Sequence, residues 1–374
     1  MARRKQRKEE DIYYTLKEIQ KIKATYYIIF GERSNGKTFA VLEEIAKNYI
    51  QTGKQGALLR RFREDFTGKR GTDLFMPLIV AGIISKYSDE WDSVHYYASK
   101  WYLSKHEINE NGESIRIDDE TPFMYAFAIS SWEHDKGTRY PNITTVLFDE
   151  FITRGGYLKD EFVLFMNVLS TIIGIRDDVT IYMCGNTVNK YCPYFAEMGL
   201  KHVPQMKQGD IDVYEIPSAG TVIAVEYCAT KLKSKPSNKY FAFDNKKLQM
   251  ITHGAWEIDI YPHCPYKYTP KDISFIYFIQ FDNVLLQCEI VTLDNCQFTY
   301  IHQKTTPLKN DDGDLIFSTT YDARPNWRRK LTKPILPIEK KIAYFFAADK
   351  VFYQDNEIGE VVRNYLQWCG KVIQ

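Results

Sequence analysis

The sequence predicts an α/β protein: a mostly parallel central sheet covered by helices on both faces, followed by a smaller α+β unit. Three observations predict it. Apolar runs of strand length alternate with helical stretches through the first 228 residues. The first of those strands passes through a glycine-containing loop straight into an amphipathic helix, and from about residue 270 the pattern changes to short sequential strands. Alternation of strand and helix favours parallel pairing, because each crossover lays a helix on a sheet face and both faces become buried.

The elements follow in order. Residues 25–30 (TYYIIF) read as a buried strand, and FAVLEEIAKNYIQTGK, from Phe39, places apolar residues at helical spacing until Gly53. GALLRR (56–61) is a second strand, and 97–119 reads as a hairpin turning at Asn111-Gly112, a favoured type I′ pair. Three further apolar strands are FMYAFAIS (123–130), ITTVLFD (143–149) and VTIYMCG (179–185), with a helical stretch at about 158–173 between the last two. DVYEIP and TVIAVEY make a hairpin through Ser218-Ala219-Gly220. The polar, lysine-rich KLKSKPSNKY (231–240) marks a boundary, so the expected organisation is a first domain over 1–228, a linker over 229–268 and a C-terminal α+β domain over 269–374. That last domain opens with ISFIYFIQF, VLLQCEIVT and QFTYIHQ, with Asp294-Asn295 between the last two. A basic, proline-flanked loop (RPNWRRKLTKP, 324–334) then leads to a terminal helix containing EVVRNYLQW.

Composition narrows the class. The chain has 374 residues, 44% hydrophobic and 26% charged, which suits a soluble globular protein of two domains. A net charge of +1 excludes a uniformly basic nucleic-acid binder, so any such contact must come from local patches. The seven cysteines contain no CxxC pair and point to a reducing cytoplasm rather than a disulfide framework. His263 and Cys264 adjoin, a spacing that rarely serves one metal. At the N-terminus, Arg3, Arg4, Lys5, Arg7 and Lys8 give way to Glu9, Glu10 and Asp11 in place of the apolar stretch of a secretory signal. The apolar run LIVAGII (78–84) is too short for a bilayer, so no membrane partner is expected.

Two motifs carry the chemistry. Gly31-Glu32-Arg33-Ser34-Asn35-Gly36-Lys37-Thr38 matches GxxxxGK[ST] in full, between a strand and a helix. The spacing makes a backbone loop whose N–H groups wrap a phosphate at a helix N-terminus. Gly31 and Gly36 permit the backbone angles, Lys37 reaches the β/γ-phosphates and Thr38 offers its hydroxyl to Mg²⁺. The buried strand ITTVLFDEF (143–151) ends in the second motif: Asp149 holds Mg²⁺ and Glu150 polarises the attacking water. FMYAFAIS lies between these two strands in sequence. An inserted central strand with an acid beside the metal-binding Asp marks the additional-strand, catalytic-glutamate branch of the P-loop NTPases. Asn189-Lys190 continues as Tyr191-Cys192, not as the guanine-reading NKxD, so ATP is expected rather than GTP. Asn186, at the tip of VTIYMCG, is a candidate γ-phosphate sensor, followed by Thr187. Arg33 is a candidate to swing between phosphate and Glu150.

The run SSWEHDKGTRYPNITTVLFDEFI (130–152), the later CGN and the NKYCPYF stretch together resemble the DNA-packaging ATPases of small tailed podoviruses. The likeness covers about residues 25–228; beyond 270 it is confined to size and strand order. It implies an ATP-hydrolysing homo-oligomeric ring of five subunits that translocates double-stranded DNA at the portal of an empty capsid. Such a motor works in the host-cell cytoplasm, is absent from the mature virion and, in some members, meets a packaging RNA. It further implies a C-terminal domain with a ribonuclease H-like fold that has lost nuclease activity. By local match, Lys136 acts across the subunit interface and Arg63 is a basic DNA-loop position. The trans-acting arginine falls in direct register on Gly174, so Arg176, two residues on, takes the role, with Arg139 and Arg154 as reserves.

Arg60, Arg61, Arg63, Lys69 and Arg70, interrupted by Glu64 and Asp65, form the expected DNA-contacting loop, tracking phosphates without reading bases. The basic loops 231–239 and 324–333 are candidates for DNA, RNA or an acidic portal surface. Asp282, Asp294, Asp349 and Asp355 are the acids that a two-metal nuclease would have to converge, and ordinary turn aspartates are the favoured reading. Two alternatives stand beside the packaging motor: a terminase-type motor with an active nuclease, and a non-viral P-loop protein acting as a nucleotide-gated DNA-binding module.

Overall fold

The computed structural model describes residues 13–131, 138–154, 156–158, 160–189, 191–228, 261–281, 284–308 and 313–370. The chain divides into two compact units, Met1–Trp256 and Glu257–Gln374.

The strands of the first unit are β1 (Tyr26–Gly31), β2 (Gln55–Arg60), β3 (Ser93–Tyr97), β4 (Lys100–Ile108), β5 (Ser114–Asp118), β6 (Met124–Ala128), β7 (Ile143–Asp149), β8 (Thr180–Asn186), β9 (Ile211–Ile216) and β10 (Thr221–Tyr227). They form one sheet in the order β3-β4-β6-β2-β7-β8-β1-β10-β9, with β5 paired to β4. From β6 to β10 every pairing is parallel. Antiparallel hairpins flank this centre on both sides.

Side chains alternate along the central strands, and both faces are covered. Ile28 and Phe30 of β1 and Val146 and Phe148 of β7 join Phe165 and Leu169 of helix α2 (Glu161–Ile173). Ile29, Leu58 and Leu147 turn the other way and join Leu42 and Ile45 of helix α1 (Lys37–Thr52). Near-continuous apolar strands are what such a double-faced burial demands.

Two expectations need correction. The strand lying between the P-loop strand and the acidic strand is β8, not FMYAFAIS. β8 pairs with β1 on one side and β7 on the other, whereas β6 lies beyond β2. The additional strand is present, but it is supplied from later in the chain. The crossover from β1 leaves two strand positions open before β2, and β7 and then β8 fill them. The two-residue turn is also elsewhere: Ala98 and Ser99, at φ 50° and 61°, join β3 to β4. The Asn111-Gly112 region instead closes through Gly112 N–H to Asn109 O at 2.9 Å and Asn109 N–H to Glu113 O at 2.9 Å, with only Gly112 in the left-handed region. Asn109 Oδ1 accepts from the Glu113 and Asn111 amides and so stabilises this longer loop.

The second unit has β11 (Ile273–Phe281), β12 (Val284–Leu293), β13 (Cys296–Gln303), β14 (Leu315–Ser318), β15 (Trp327–Arg328) and β16 (Val351–Tyr353), in the order β15-β14-β11-β12-β13-β16. β11, β12 and β13 form an antiparallel meander; β14 joins β11 in parallel and β15 joins β14 in parallel. This is the strand arrangement of a ribonuclease H-like sheet. Helices α3 (Pro337–Ala347) and α4 (Asn356–Trp368) pack against it. Four elements of this unit were not foreseen from the sequence: α3, β14, β15 and β16.

Candidate nucleotide site

The parallel registers bring the site together. Gly31 pairs with Asn186, and Asp149 pairs with Cys184, so the P-loop, the sensor candidate and the acidic pair all leave the sheet at the carboxyl ends of adjacent strands. In open parallel sheets this edge is where ligands bind. A cleft of about 490 Å³ opens there, lined among others by Arg33, Ser34, Asn35, Gly36, Lys37, Thr38, Asp149, Glu150 and Asn186. It also contains Arg60, Phe39, Cys184 and Gly185, which were not assigned to it from sequence.

The loop's backbone is shaped by its glycines. Gly36 has φ 94°, and Gly31 lies so close to Cys228 that an added Cβ would sit 3.2 Å from the Cys228 Cβ. Ser34 takes φ 59° without being glycine. Lys37 is 5% exposed, and its ammonium donates to the Glu32 carbonyl at 2.6 Å, to Asn35 Oδ1 at 3.1 Å and to Asn186 Oδ1 at 3.3 Å. Burial pushes its pKa below the ordinary lysine value. Thr38 donates its hydroxyl to Asp149 Oδ1 at 2.8 Å, and Arg60 faces the other carboxylate oxygen at 2.7 Å. Burial opposes the charge on Arg60, but the Asp149 carboxylate outweighs it and the guanidinium pKa is raised. Glu150, the next residue, is exposed and adopts φ 57°, a left-handed conformation that costs a non-glycine residue on the order of 1–2 kcal/mol.

The basic segment after β2 does not stay together as one loop. Arg60 belongs to the cleft. Arg61 is buried, 8% exposed at its side chain, and pairs with Glu161 through Nε–Oε2 and Nη2–Oε1, both 2.8 Å. Neither arginine is free to grip DNA as expected. Arg63, Lys69 and Arg70 are exposed, on a 3₁₀ turn (Arg63–Phe66) and a short helix (Lys69–Asp73).

Arg176 is a second correction. Its guanidinium donates to five backbone carbonyls, of Tyr140, Pro141, Ile143, Ile172 and Ile173, at 2.7–3.3 Å. It also meets Asp178 at 3.2 Å. It ties the C-terminus of α2 to the start of β7, the end of that strand remote from Asp149. Orphan carbonyls of a helix end are a strong sink for an arginine, and here they hold the guanidinium within its own chain. Of the reserves, Arg139 is exposed and Arg154 donates to the Val188 carbonyl at 3.3 Å. Lys136 lies outside the described residues, as do the basic loop 231–239 and Asp282.

In the second unit, Asp355 caps α4 by accepting from the Ile358 amide at 2.9 Å, Asp294 lies in the β12–β13 turn and Asp349 in the turn before β16. Much of the basic loop 324–333 is tied to its own unit. Arg328 pairs with buried Glu339 at 2.6 Å, Arg324 pairs with Asp322 at 2.8 Å, and Arg329 stacks on Trp368.

Strand order, phosphate loop and acidic pair define an additional-strand P-loop fold. The comparisons with known proteins then narrow the class. Residues 83–219 match the family model of the podovirus DNA encapsidation protein (Gp16). The DNA packaging protein of Bacillus phage B103 is 25% identical over 175 residues, 46% of this chain and 47% of that protein. The DNA packaging protein of Bacillus phage phi29 is 23% identical over 218 residues, 56% and 58% of the two chains. The chain thus spans about half the length of the curated relatives it matches. Two solved structures share the fold along nearly the whole chain. The bacteriophage Phi-29 viral genome packaging motor assembly has a TM-score of 0.56 at 16% identity, covering 97% of this chain and 100% of that one. The Phi-28 gp11 DNA packaging motor has a TM-score of 0.52 at 18% identity, covering 96% of each. The chain is similar to the podovirus DNA-packaging proteins, as its acidic-strand region led one to expect.

Proposed function

We propose that this chain is an ATP-hydrolysing motor that drives double-stranded DNA into a preformed capsid. One observation carries the reading: a complete phosphate loop faces an Asp149-Glu150 pair across one cleft, in a chain similar to DNA-packaging proteins. The P-loop amides wrap the phosphates, and Lys37 exchanges its bonds to Glu32 and Asn35 for the β/γ-phosphates. Thr38 and Asp149 present hard oxygen donors that suit Mg²⁺, which when bound neutralises charge on the transferring phosphoryl group. Glu150 polarises the attacking water, and Asn186, already beside Lys37, contacts the γ-phosphate.

Arg63, Lys69 and Arg70 supply a sequence-independent grip on the DNA backbone. Arg139, exposed and within the matched segment, replaces Arg176 as the arginine offered to a neighbouring subunit's site, alongside Lys136. A ring of five subunits, the capsid portal, a packaging RNA and transient action in the host-cell cytoplasm belong to this same proposal. Among the described residues no helix is long and apolar enough to cross a membrane.

The test is protection of DNA from nuclease in the presence of empty capsids. Protection that requires both ATP and this chain supports the motor. Protection that is absent, or independent of ATP, removes it.

A further inference from the structure

The left-handed backbone at Glu150 raises the question of what holds it there. The following residue is fixed on one side, where the Phe151 amide donates to the Cys184 carbonyl at 3.3 Å. On the other side a single guanidinium reaches both carbonyls: Arg61 Nη1 lies 3.3 Å from Glu150 O, and Nη2 lies 3.0 Å from Phe151 O. Arg61 is therefore attached to the backbone of the proposed base and not to its carboxylate.

Arg61 is itself held by two side chains besides these carbonyls. Glu161, the first residue of α2 and 1% exposed at its side chain, grips it with both carboxylate oxygens. Tyr157 lies beneath it, with the guanidinium carbon 5.2 Å from the ring centroid. Glu161 in turn accepts from the Tyr194 hydroxyl at 2.8 Å and from the Leu158 amide at 2.7 Å. The carboxylate's acceptor sites are thus taken by donors that fix its position, and a planar fork held this way has little freedom. Burial opposes the charge on Arg61, but the Glu161 hydrogen bonds outweigh it and hold the guanidinium charged. A buried ion pair with this many directed bonds is weak evidence for stability and better evidence for fixing one geometry.

We infer that Arg61, locked by Glu161 and Tyr194, is a positioning residue that fixes the Glu150 backbone and so aims its carboxylate at the attacking water. The inference rests on Glu150 being the base. It gives Arg61 and Glu161 a role distinct from DNA contact and from nucleotide binding. Misplacing a catalytic group by about 1 Å costs on the order of 100-fold in rate, so the network's effect should appear in kcat.

The test uses the full-length protein and two kinds of variant. Removing one member of a buried pair strands the other, so the first variant replaces both, Arg61→Met with Glu161→Leu, which retains volume without an unpaired charge. The second is Arg61→Lys, which keeps a cation for Glu161 but cannot reach two carbonyls as a fork. Expected for both is a fall in kcat of roughly 10- to 100-fold, with the dissociation constant for a non-hydrolysable ATP analogue changed less than about threefold. The decisive readout is coupling. In a Glu150→Gln background, neither substitution should lower the residual turnover further, because there is no base left to aim. Three outcomes would overturn the inference: kcat near wild type in Arg61→Lys, nucleotide affinity falling in step with turnover, or an undiminished loss in the Glu150→Gln background. If Glu150→Gln alone leaves turnover intact, the failure lies instead with Glu150 as the base.

Discussion

Arg60 and Arg61 stand just before Arg63 and within ten residues of Lys69 and Arg70, and the two groups have opposite fates. The first pair is drawn into the protein, one to Asp149 in the cleft and one to Glu161 beneath it. The others stand in solvent. Strand geometry explains the difference. In β2, Leu58 faces the α1 side while Ala57 and Leu59 face the α2 side. Continuing that alternation sends Arg60 towards the phosphate loop and Arg61 towards α2. Past β2 the chain turns, and charge meets water. One run of like residues thus combines a site cation, a buried brace and an exposed patch, and its net charge describes none of them.

The largest effect expected is in the cleft itself. Lys37→Ala should abolish ATP turnover and weaken nucleotide binding, since it deletes the main side-chain cation facing the phosphates. Turnover and analogue affinity, measured together, check it, and retained turnover would remove the loop from the chemistry.

The next prediction sharpens the contrast between the arginines. Arg61→Ala leaves Glu161 buried and unpaired and should destabilise the first unit by about 3–5 kcal/mol. Arg63→Ala, at the surface, should stay within about 0.5 kcal/mol. Urea denaturation of both variants measures the difference; equal effects would erase the distinction between brace and surface patch.

The exposed group is tested through salt. Replacing Arg63, Lys69 and Arg70 together by Ala should flatten the slope of log DNA affinity against log salt by up to about 2.7, at roughly 0.9 for each phosphate that is no longer neutralised. An unchanged slope would move the DNA grip to another part of the chain.

The smallest effect is in the second unit. Glu289 accepts from Tyr268 at 2.8 Å and faces His302 Nε2 at 3.4 Å. Its hydrogen bonds from His302, Tyr268 and Gln287 outweigh the opposing effect of burial and lower its pKa, while the Glu289 hydrogen bond raises that of His302. The histidine's contribution is complete below its ordinary value of 6.5 and is lost as pH rises through its raised folded value. The glutamate's contribution is complete above its ordinary 4.5 and is lost as pH falls through its lowered one. Stability from this pair should therefore be greatest between about 4.5 and 6.5 and decline on either side. His302→Gln should flatten the upper decline in a thermal melt series; an unchanged profile would show that the pair carries no charge.

The legibility of the molecule divides along the same physical line. The phosphate loop and the acidic strand end were readable because backbone chemistry demands those residues at that spacing. Both faces of the sheet were readable from runs such as YYIIF and TTVLF. Hidden from the sequence was which strand lies beside which, since β8 slots between β1 and β7 by topology and not by chain order. Also hidden was the use of Arg176 as a clamp on five carbonyls, because the sequence shows the cation but not the orphan acceptors around it. Arg61 was recoverable: the alternation of β2, followed one residue past its end, points it at the α2 face, where Glu161 begins the helix.

If the cleft hydrolyses ATP with Glu150 as base, as proposed, Glu150→Gln is the substitution that shows it. Amide and carboxylate share a shape but differ as bases, so ATP·Mg²⁺ affinity should stay close to that of the unsubstituted chain while turnover is lost. Near-normal turnover in Glu150→Gln would contradict it.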